Sequence, residues 1–294
     1  MTVSQSFDEF CDKISTNSID ATIAYRKDRI AKQLNYNFRN GLDSNANTLY
    51  VGSYGRCTDN IEVSDIDLLA ILPWSLYGKY NEYLYNGQSS LLQAVKESIS
   101  KTYTNTTMRA DGQVIQVLFA DMTFEIVPCF EYYDGTFCYA DTNNGGSWKN
   151  MNPRAEISAV QERNKETNRN MSALSRMMRS WKNHNNVNIK GITLDILVHR
   201  FLKDCQYKSN GSTYYDYMCR DFFEYLSNIP TAQSSYLVMG SNRFISDSGY
   251  FQYKAKQAHK LTLEAIEADE NKYNYSRNNK FREIFGTKFP SNHE

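Results

Sequence analysis

Two aspartates set two residues apart in an aliphatic run constrain this chain more than any other feature. The run is Ser64-Asp65-Ile66-Asp67-Leu68-Leu69-Ala70-Ile71-Leu72-Pro73. On a β-strand, side chains at i and i+2 share a face, roughly 6.5–7 Å apart along the chain. Asp65 and Asp67 therefore face one side while Ile66 and Leu68 face the other. Two carboxylates ~5 Å apart repel by roughly 3 kcal/mol at an effective dielectric of about 20. A divalent cation turns that repulsion into a binding site, and hard oxygen ligands select Mg²⁺ or Mn²⁺. Just upstream, Val51-Gly52-Ser53-Tyr54-Gly55-Arg56 puts a glycine-flanked serine at the end of a short apolar run. Gly52 permits close backbone approach to a phosphate, and Ser53 can donate a hydrogen bond to a phosphate oxygen.

A third acid follows in Asp121-Met122-Thr123-Phe124-Glu125-Ile126-Val127-Pro128. This reads as a second short strand, with Glu125 facing away from Phe124 and Ile126. Phosphoryl transfer by two metal ions needs such a set. One ion activates an attacking hydroxyl, and the other neutralises the triphosphate and the leaving pyrophosphate. Asp65 and Asp67 would hold both ions, and Glu125 would ligate the activating one and help accept the hydroxyl proton. A lone Asp-x-Asp is common on solvated edge strands. The specificity lies in Gly-Ser, a short spacer, Asp-x-Asp in an apolar strand, then an acid in a second strand. Asp121 is the rival third ligand, but aspartate is favoured in turns, and it belongs in the turn before the strand.

This pattern resembles the polymerase-β-type nucleotidyltransferases, and more closely the bacterial cGAS/DncV-like enzymes, relatives of oligoadenylate synthetase. Three further stretches carry the likeness: Phe124–Phe130, Gly146-Ser147-Trp148-Lys149-Asn150-Met151-Asn152-Pro153, and Phe281-Arg282-Glu283-Ile284-Phe285-Gly286-Thr287-Lys288-Phe289-Pro290. The family often has aspartate at the third carboxylate, and the glutamate here adds one methylene. The resemblance implies an α+β fold, with a polymerase-β-like core of mixed sheet and a long amino-terminal helix packed on a carboxy-terminal helical lobe. The expected division is 1–160 for the core and 161–294 for the lobe, with the active cleft between them. It implies two Mg²⁺ or Mn²⁺ ions and nucleoside triphosphates, ATP among them, joined into a cyclic di- or trinucleotide for anti-phage signalling. A HORMA-type activator and a cyclic-nucleotide-responsive effector are the implied partners, with no need for double-stranded nucleic acid. The family places a lysine on a helix of the lobe to hold the triphosphate. Lys182, after Trp181, fits that place, or is an ordinary lysine near a helix carboxy terminus. Thr193 stands where the family has a serine, and is otherwise a helix cap. Arg56 follows the glycine-rich turn and either touches phosphate or serves the surface.

Two other readings share these residues. The same chemistry could extend an RNA 3′ end or modify a protein side chain. A binding protein with a vestigial site is disfavoured because the costly acid cluster is intact. Lys plus Arg equals Asp plus Glu at 33 each, which argues against a protein living mainly on nucleic-acid electrostatics. Tyrosine is abundant at 22. Tyr54 and Tyr250 could stack on bases, although most tyrosines serve half-buried packing. The six cysteines form no Cys-x-x-Cys and do not cluster with His184, His199, His259 or His293. That argues against structural zinc and fits a reducing cytoplasm. The amino terminus lacks a basic-then-apolar signal pattern, and no window approaches the ~18 apolar residues of a membrane helix.

Periodicity predicts a helix over 4–15 behind a serine cap, a longer one over 19–39 stopped at Asn40-Gly41, and one over 89–102 capped by Ser89 or Ser90. Val114–Ala120 and Thr123–Pro128 read as a hairpin turning at Asp121-Met122. The polar stretch 141–146 reads as loop. Helical spacing then marks Met171 to Trp181, Leu194 to Phe201, Met218 to Ile229 and Ala255 to Ile266.

Overall fold

A computed structural model describes residues 1–43 and 46–291; His293 lies outside them. In chain order the elements are α1 (Val3–Ile14), α2 (Asp20–Arg39), β1 (Thr48–Tyr50), α3 (Gly52–Gly55), β2 (Asp65–Ile71), α4 (Trp74–Asn81), α5 (Gly87–Ser100), β3 (Thr107–Asp111), β4 (Val114–Leu118), β5 (Thr123–Glu131), β6 (Phe137–Asp141), β7 (Ser147–Met151), α6 (Pro153–Glu166), α7 (Asn170–His184), α8 (Gly191–Asp204), α9 (Tyr215–Ser227), β8 (Ser235–Leu237), β9 (Phe244–Ser246), α10 (Gln252–Glu270) and α11 (Asn274–Phe285). The fold is α+β. By contacts the chain forms two compact units: residues 17–56 with 63–157, and residues 1–16 with 57–62 and 158–294. Helix α1 and the segment 57–62 are thus counted with the helices after 158.

The first of these units is built on a mixed sheet of order β1-β2-β5-β4-β3, with β6 on β5 and β7 on β6. Strands β2 and β5 run parallel, and the other pairs are antiparallel. Alternation gives the sheet two unlike faces. Ile66, Leu68, Ile115, Val117, Phe124 and Ile126 form one core with Ile23, Ile30 and Leu34 of α2 and Leu91, Leu92, Val95 and Ile99 of α5. The other face carries a smaller apolar patch of Val51, Leu69, Val127, Cys129 and Phe137, and beside it the acids.

Two caps differ from expectation. Helix α1 starts behind Thr2 rather than a serine, because Thr2 forms a capping box with Gln5, which satisfies two orphan donors at once. Helix α5 starts at Gly87 behind Asn86, which has φ 60° and makes no side-chain cap bond, so Ser89 and Ser90 lie inside the helix. Gly87 is required there: a Cβ would stand 2.0 Å from the Tyr80 carbonyl oxygen.

The other unit is helical, with a single large core that includes Phe7, Phe10, Trp181, Phe222, Phe223, Phe281, Phe285 and Phe289. Within it, wholly buried Asp195 on α8 accepts from Arg179 Nη1 at 2.9 Å and Nη2 at 3.1 Å, and from Thr58 Oγ1 at 2.8 Å. Neighbouring residues of the 57–62 segment are held in the same unit. Arg176 donates to the Asp59 carbonyl, Asn60 to Ser180 Oγ, the Ile61 amide to the Ile14 carbonyl, and Asn183 and Lys288 to the Glu62 carboxylate. Removing one member of a buried ion pair strands the other charge, at a cost of about 3–5 kcal/mol. Asp195→Ala is expected to lower the urea unfolding midpoint by that measure. No described helix is long and apolar enough to cross a membrane.

Candidate active site

Strand register assembles the acids. Asp67 on β2 pairs with Glu125 on β5, and Asp65 pairs with Thr123. Glu125 is in turn opposite Gln116 on β4, and Gln116 is opposite Arg109 on the edge strand β3. Asp67, Glu125, Gln116 and Arg109 therefore form one polar row across four strands, on the face away from α2 and α5. Neighbouring strands lie about 4.8 Å apart, so the Asp67 and Glu125 carboxylates project side by side. Asp65 is one pleat along the same face. It is exposed and accepts from Ser64 Oγ at 2.7 Å.

The electrostatics match the geometry. Burial, reinforced by the Glu125 and Asp65 charges, pushes Asp67 up to about 6, and Arg56 opposes the shift. Arg56 is neither on the surface nor extended outward. It is 7% exposed and pairs with Glu156 Oε2 at 3.3 Å, so its buried charge is held by that carboxylate while its field reaches Asp67. Asp121 sits in the connection before β5, paired with Arg26 at 2.8 Å, away from the row.

The glycine-rich turn lies against Asp67. The Val51 amide donates to the Asp67 carbonyl at 2.9 Å. Gly52 has φ +62°, and a Cβ there would stand 1.7 Å from Asp67 Oδ2. The turn thus lays bare backbone on the carboxylate. Ser53 is the next residue, in the short helix α3. Tyr54 is committed to packing, its hydroxyl bonded to Asp20 at 3.0 Å and its ring edge-on to Tyr50.

Two candidates belong to the helical unit. Lys182 lies in the last turn of α7 and is half-buried. Thr193 does not cap α8, since Lys190 is the N-cap residue. Thr193 is wholly buried, and its Oγ1 bonds to no described atom.

The donor set suits a hard divalent cation, being carboxylate oxygen throughout. The fit rests on the Asp67–Glu125 pairing, on the raised Asp67, and on the bare backbone of Gly52 beside it. Among the described residues no three His, Cys, Asp or Glu side chains are already gathered as a metal-holding group. Asp65 is turned to Ser64, and Glu125 accepts from Gln116 Nε2 at 2.9 Å.

The family model described as Second Messenger Oligonucleotide or Dinucleotide Synthetase domain matches residues 1–164. The chain belongs to this family. It is a nucleotidyltransferase of the cGAS/DncV-like kind. Solved structures of similar fold include E. coli CdnC in complex with HORMA-deltaN, at TM-score 0.63 and 15% identity over 98% of this chain and 98% of that one. A mutant of the Vibrio cholerae di-nucleotide cyclase DncV matches at TM-score 0.67 and 11% identity, over 98% of this chain and 87% of that one. DncV cyclic AMP-GMP synthase holding a linear dinucleotide intermediate matches at TM-score 0.65 and 12% identity, over 98% and 87%. No curated protein sequence matches this chain.

The contacts of Gln116 with Glu125 and of Glu156 with Arg56 are not legible from sequence. Glu156 lies far along the chain from the arginine it pairs. Gln116 follows from strand register alone.

Proposed function

We propose that this chain joins nucleoside triphosphates, ATP among them, into a cyclic di- or trinucleotide messenger in bacterial anti-phage signalling. A ribose hydroxyl attacks an α-phosphate, the new phosphodiester forms, and the bond to pyrophosphate breaks. The observation that carries this reading is the register that sets Asp67 beside Glu125, with Asp65 on the same face and Gly52 against Asp67. Asp65, Asp67 and Glu125 would hold two Mg²⁺ or Mn²⁺ ions, whose charge polarises the phosphate and lowers the pKa of the attacking hydroxyl.

The protein's own groups do the remaining work. Gly52 gives a phosphate access to backbone amide, and Ser53 donates to a phosphate oxygen. Glu125 helps take up the hydroxyl proton on a carboxylate oxygen. The charge of Arg56 offsets part of the burial that disfavours the ionised Asp67. Lys182 supplies positive charge to the triphosphate, where preorganised cations act most strongly on developing charge. E. coli CdnC, of similar fold, forms a complex with HORMA-deltaN. That likeness supports a HORMA-type activator for the present chain. A cyclic-nucleotide-responsive effector acting downstream in the cytoplasm completes the proposal.

Pyrophosphate release from mixed nucleoside triphosphates and Mg²⁺ tests the reading. Release is expected from the wild type, alone or with an added HORMA-type protein, and not from Asp65→Ala/Asp67→Ala. Equal release from both proteins would sink it. Lys182→Ala is expected to raise the KM for ATP about tenfold with a smaller change in kcat, the pattern of lost substrate binding.

A further inference from the structure

We infer that Gln116 is a positioning residue that fixes the carboxylate of Glu125; this rests on the reading of Glu125 as a metal ligand. Gln116 stands directly opposite Glu125 across the β4–β5 pair, and its Nε2 donates to Glu125 Oε1 at 2.9 Å. An ionised carboxylate only accepts, so the amide occupies one oxygen and leaves Oε2 for a cation or a proton. Both residues are half-buried, where a bond to a charged acceptor is stronger than in open water.

The bond answers a problem particular to this chain. A glutamate on a strand carries one more rotatable bond than an aspartate, and that freedom must be lost when its carboxylate binds a cation. The partner on the β2 side cannot supply the restraint, because it is Asp67, a second acid. The partner on the β4 side can, and it is the one neutral donor in the row between Glu125 and exposed Arg109. A hydrogen bond to a ligating carboxylate is the usual way a protein orients such a ligand, and its loss typically weakens metal binding about 10–100-fold.

The test combines Gln116→Met, which keeps length and loses the donor, with Glu125→Asp, whose carboxylate is drawn back from the amide by one methylene. Two readouts are used: kcat with saturating triphosphates, and Mn²⁺ binding followed by electron paramagnetic resonance in the presence of a non-hydrolysable ATP analogue. In the Glu125 background, Gln116→Met is expected to weaken Mn²⁺ binding about tenfold or more and to lower kcat by a similar factor, with the KM for triphosphate within about twofold. In the Glu125→Asp background the same change should do less, because the shorter arm already weakens the contact. Gln116→Glu, isosteric but without an amide donor, should be at least as impaired as Gln116→Met. Unaltered Mn²⁺ binding in Gln116→Met, or an equal loss in both backgrounds, would overturn the inference. Glu125→Ala separates the two levels: if it retains wild-type activity, the reading of Glu125 itself has failed; if it is inactive while Gln116→Met is unimpaired, only the role of Gln116 has.

Discussion

Asp67→Asn is expected to abolish nucleotidyl transfer while making the metal-free protein more stable. Asp67 is pushed up to about 6 from an ordinary 3.8 by burial and by the charges of Glu125 and Asp65. Between those two values the folded state binds more protons than the unfolded state. Stability from this group is therefore full below about pH 4 and falls as pH rises through 6. A rise of that size is worth at most ~3 kcal/mol, and solvent screening of a half-buried group reduces this to about 2 kcal/mol. Asparagine keeps the shape and removes the charge. In chelator at pH 7.5 the variant should melt about 4–8 °C above wild type, with the gap closing near pH 4. Its activity should fall at least a thousandfold, ~4 kcal/mol in barrier. Circular dichroism melts at the two pH values, beside a rate measurement, check both halves. A variant less stable than wild type at neutral pH would show that Asp67 is a structural residue rather than a destabilised functional one.

Gly52→Ala is expected to be nearly as damaging by a different route. The added methyl meets Asp67 Oδ2 at 1.7 Å, Cγ at 2.6 Å and Cβ at 2.9 Å, so the carboxylate must swing away by more than its own bond lengths. At φ +62° an L-residue also bears roughly 1–2 kcal/mol of backbone strain. A displacement of about 1 Å at reacting groups can cost a hundredfold in rate, and at least that loss is expected, together with a lower melting temperature. Gly78→Ala in α4 is the control: nothing lies within 4 Å of the added Cβ, and activity should not change. Retained activity in Gly52→Ala would mean that the turn does not need bare backbone on Asp67.

Period-two alternation around Asp65 and Asp67 is strong enough to reveal their strand, their shared face and the apolar face opposite. Glu125 is legible for the same reason, since Phe124 and Ile126 bracket it. Register is harder. A two-residue turn at Asp121-Met122 would set Leu118 opposite Glu125. The Phe119 amide instead bonds the Met122 carbonyl at 3.0 Å, a four-residue connection that shifts the pairing and brings Gln116 to Glu125. Strands β3, β6 and β7 escape a sequence reading because they are short; β3 is also largely exposed, and its Thr-Met-Arg-Ala-Asp carries little β signal. Arg56 shows the limit of motif reasoning. Its place after the glycine turn is plain, but its burial against Glu156 depends on a helix a hundred residues away in sequence.

The most direct test of the central claim is the identity of the product. Purified protein would be incubated with labelled ATP, GTP, CTP and UTP and Mg²⁺ or Mn²⁺, alone and with an added HORMA-type protein. The products would be treated with phosphatase and resolved by chromatography and mass spectrometry, beside Asp65→Ala/Asp67→Ala. A small, phosphatase-resistant cyclic nucleotide made only by the wild type is the expected result. Label appearing instead on RNA 3′ ends or on protein, with no small resistant product, would contradict the claim.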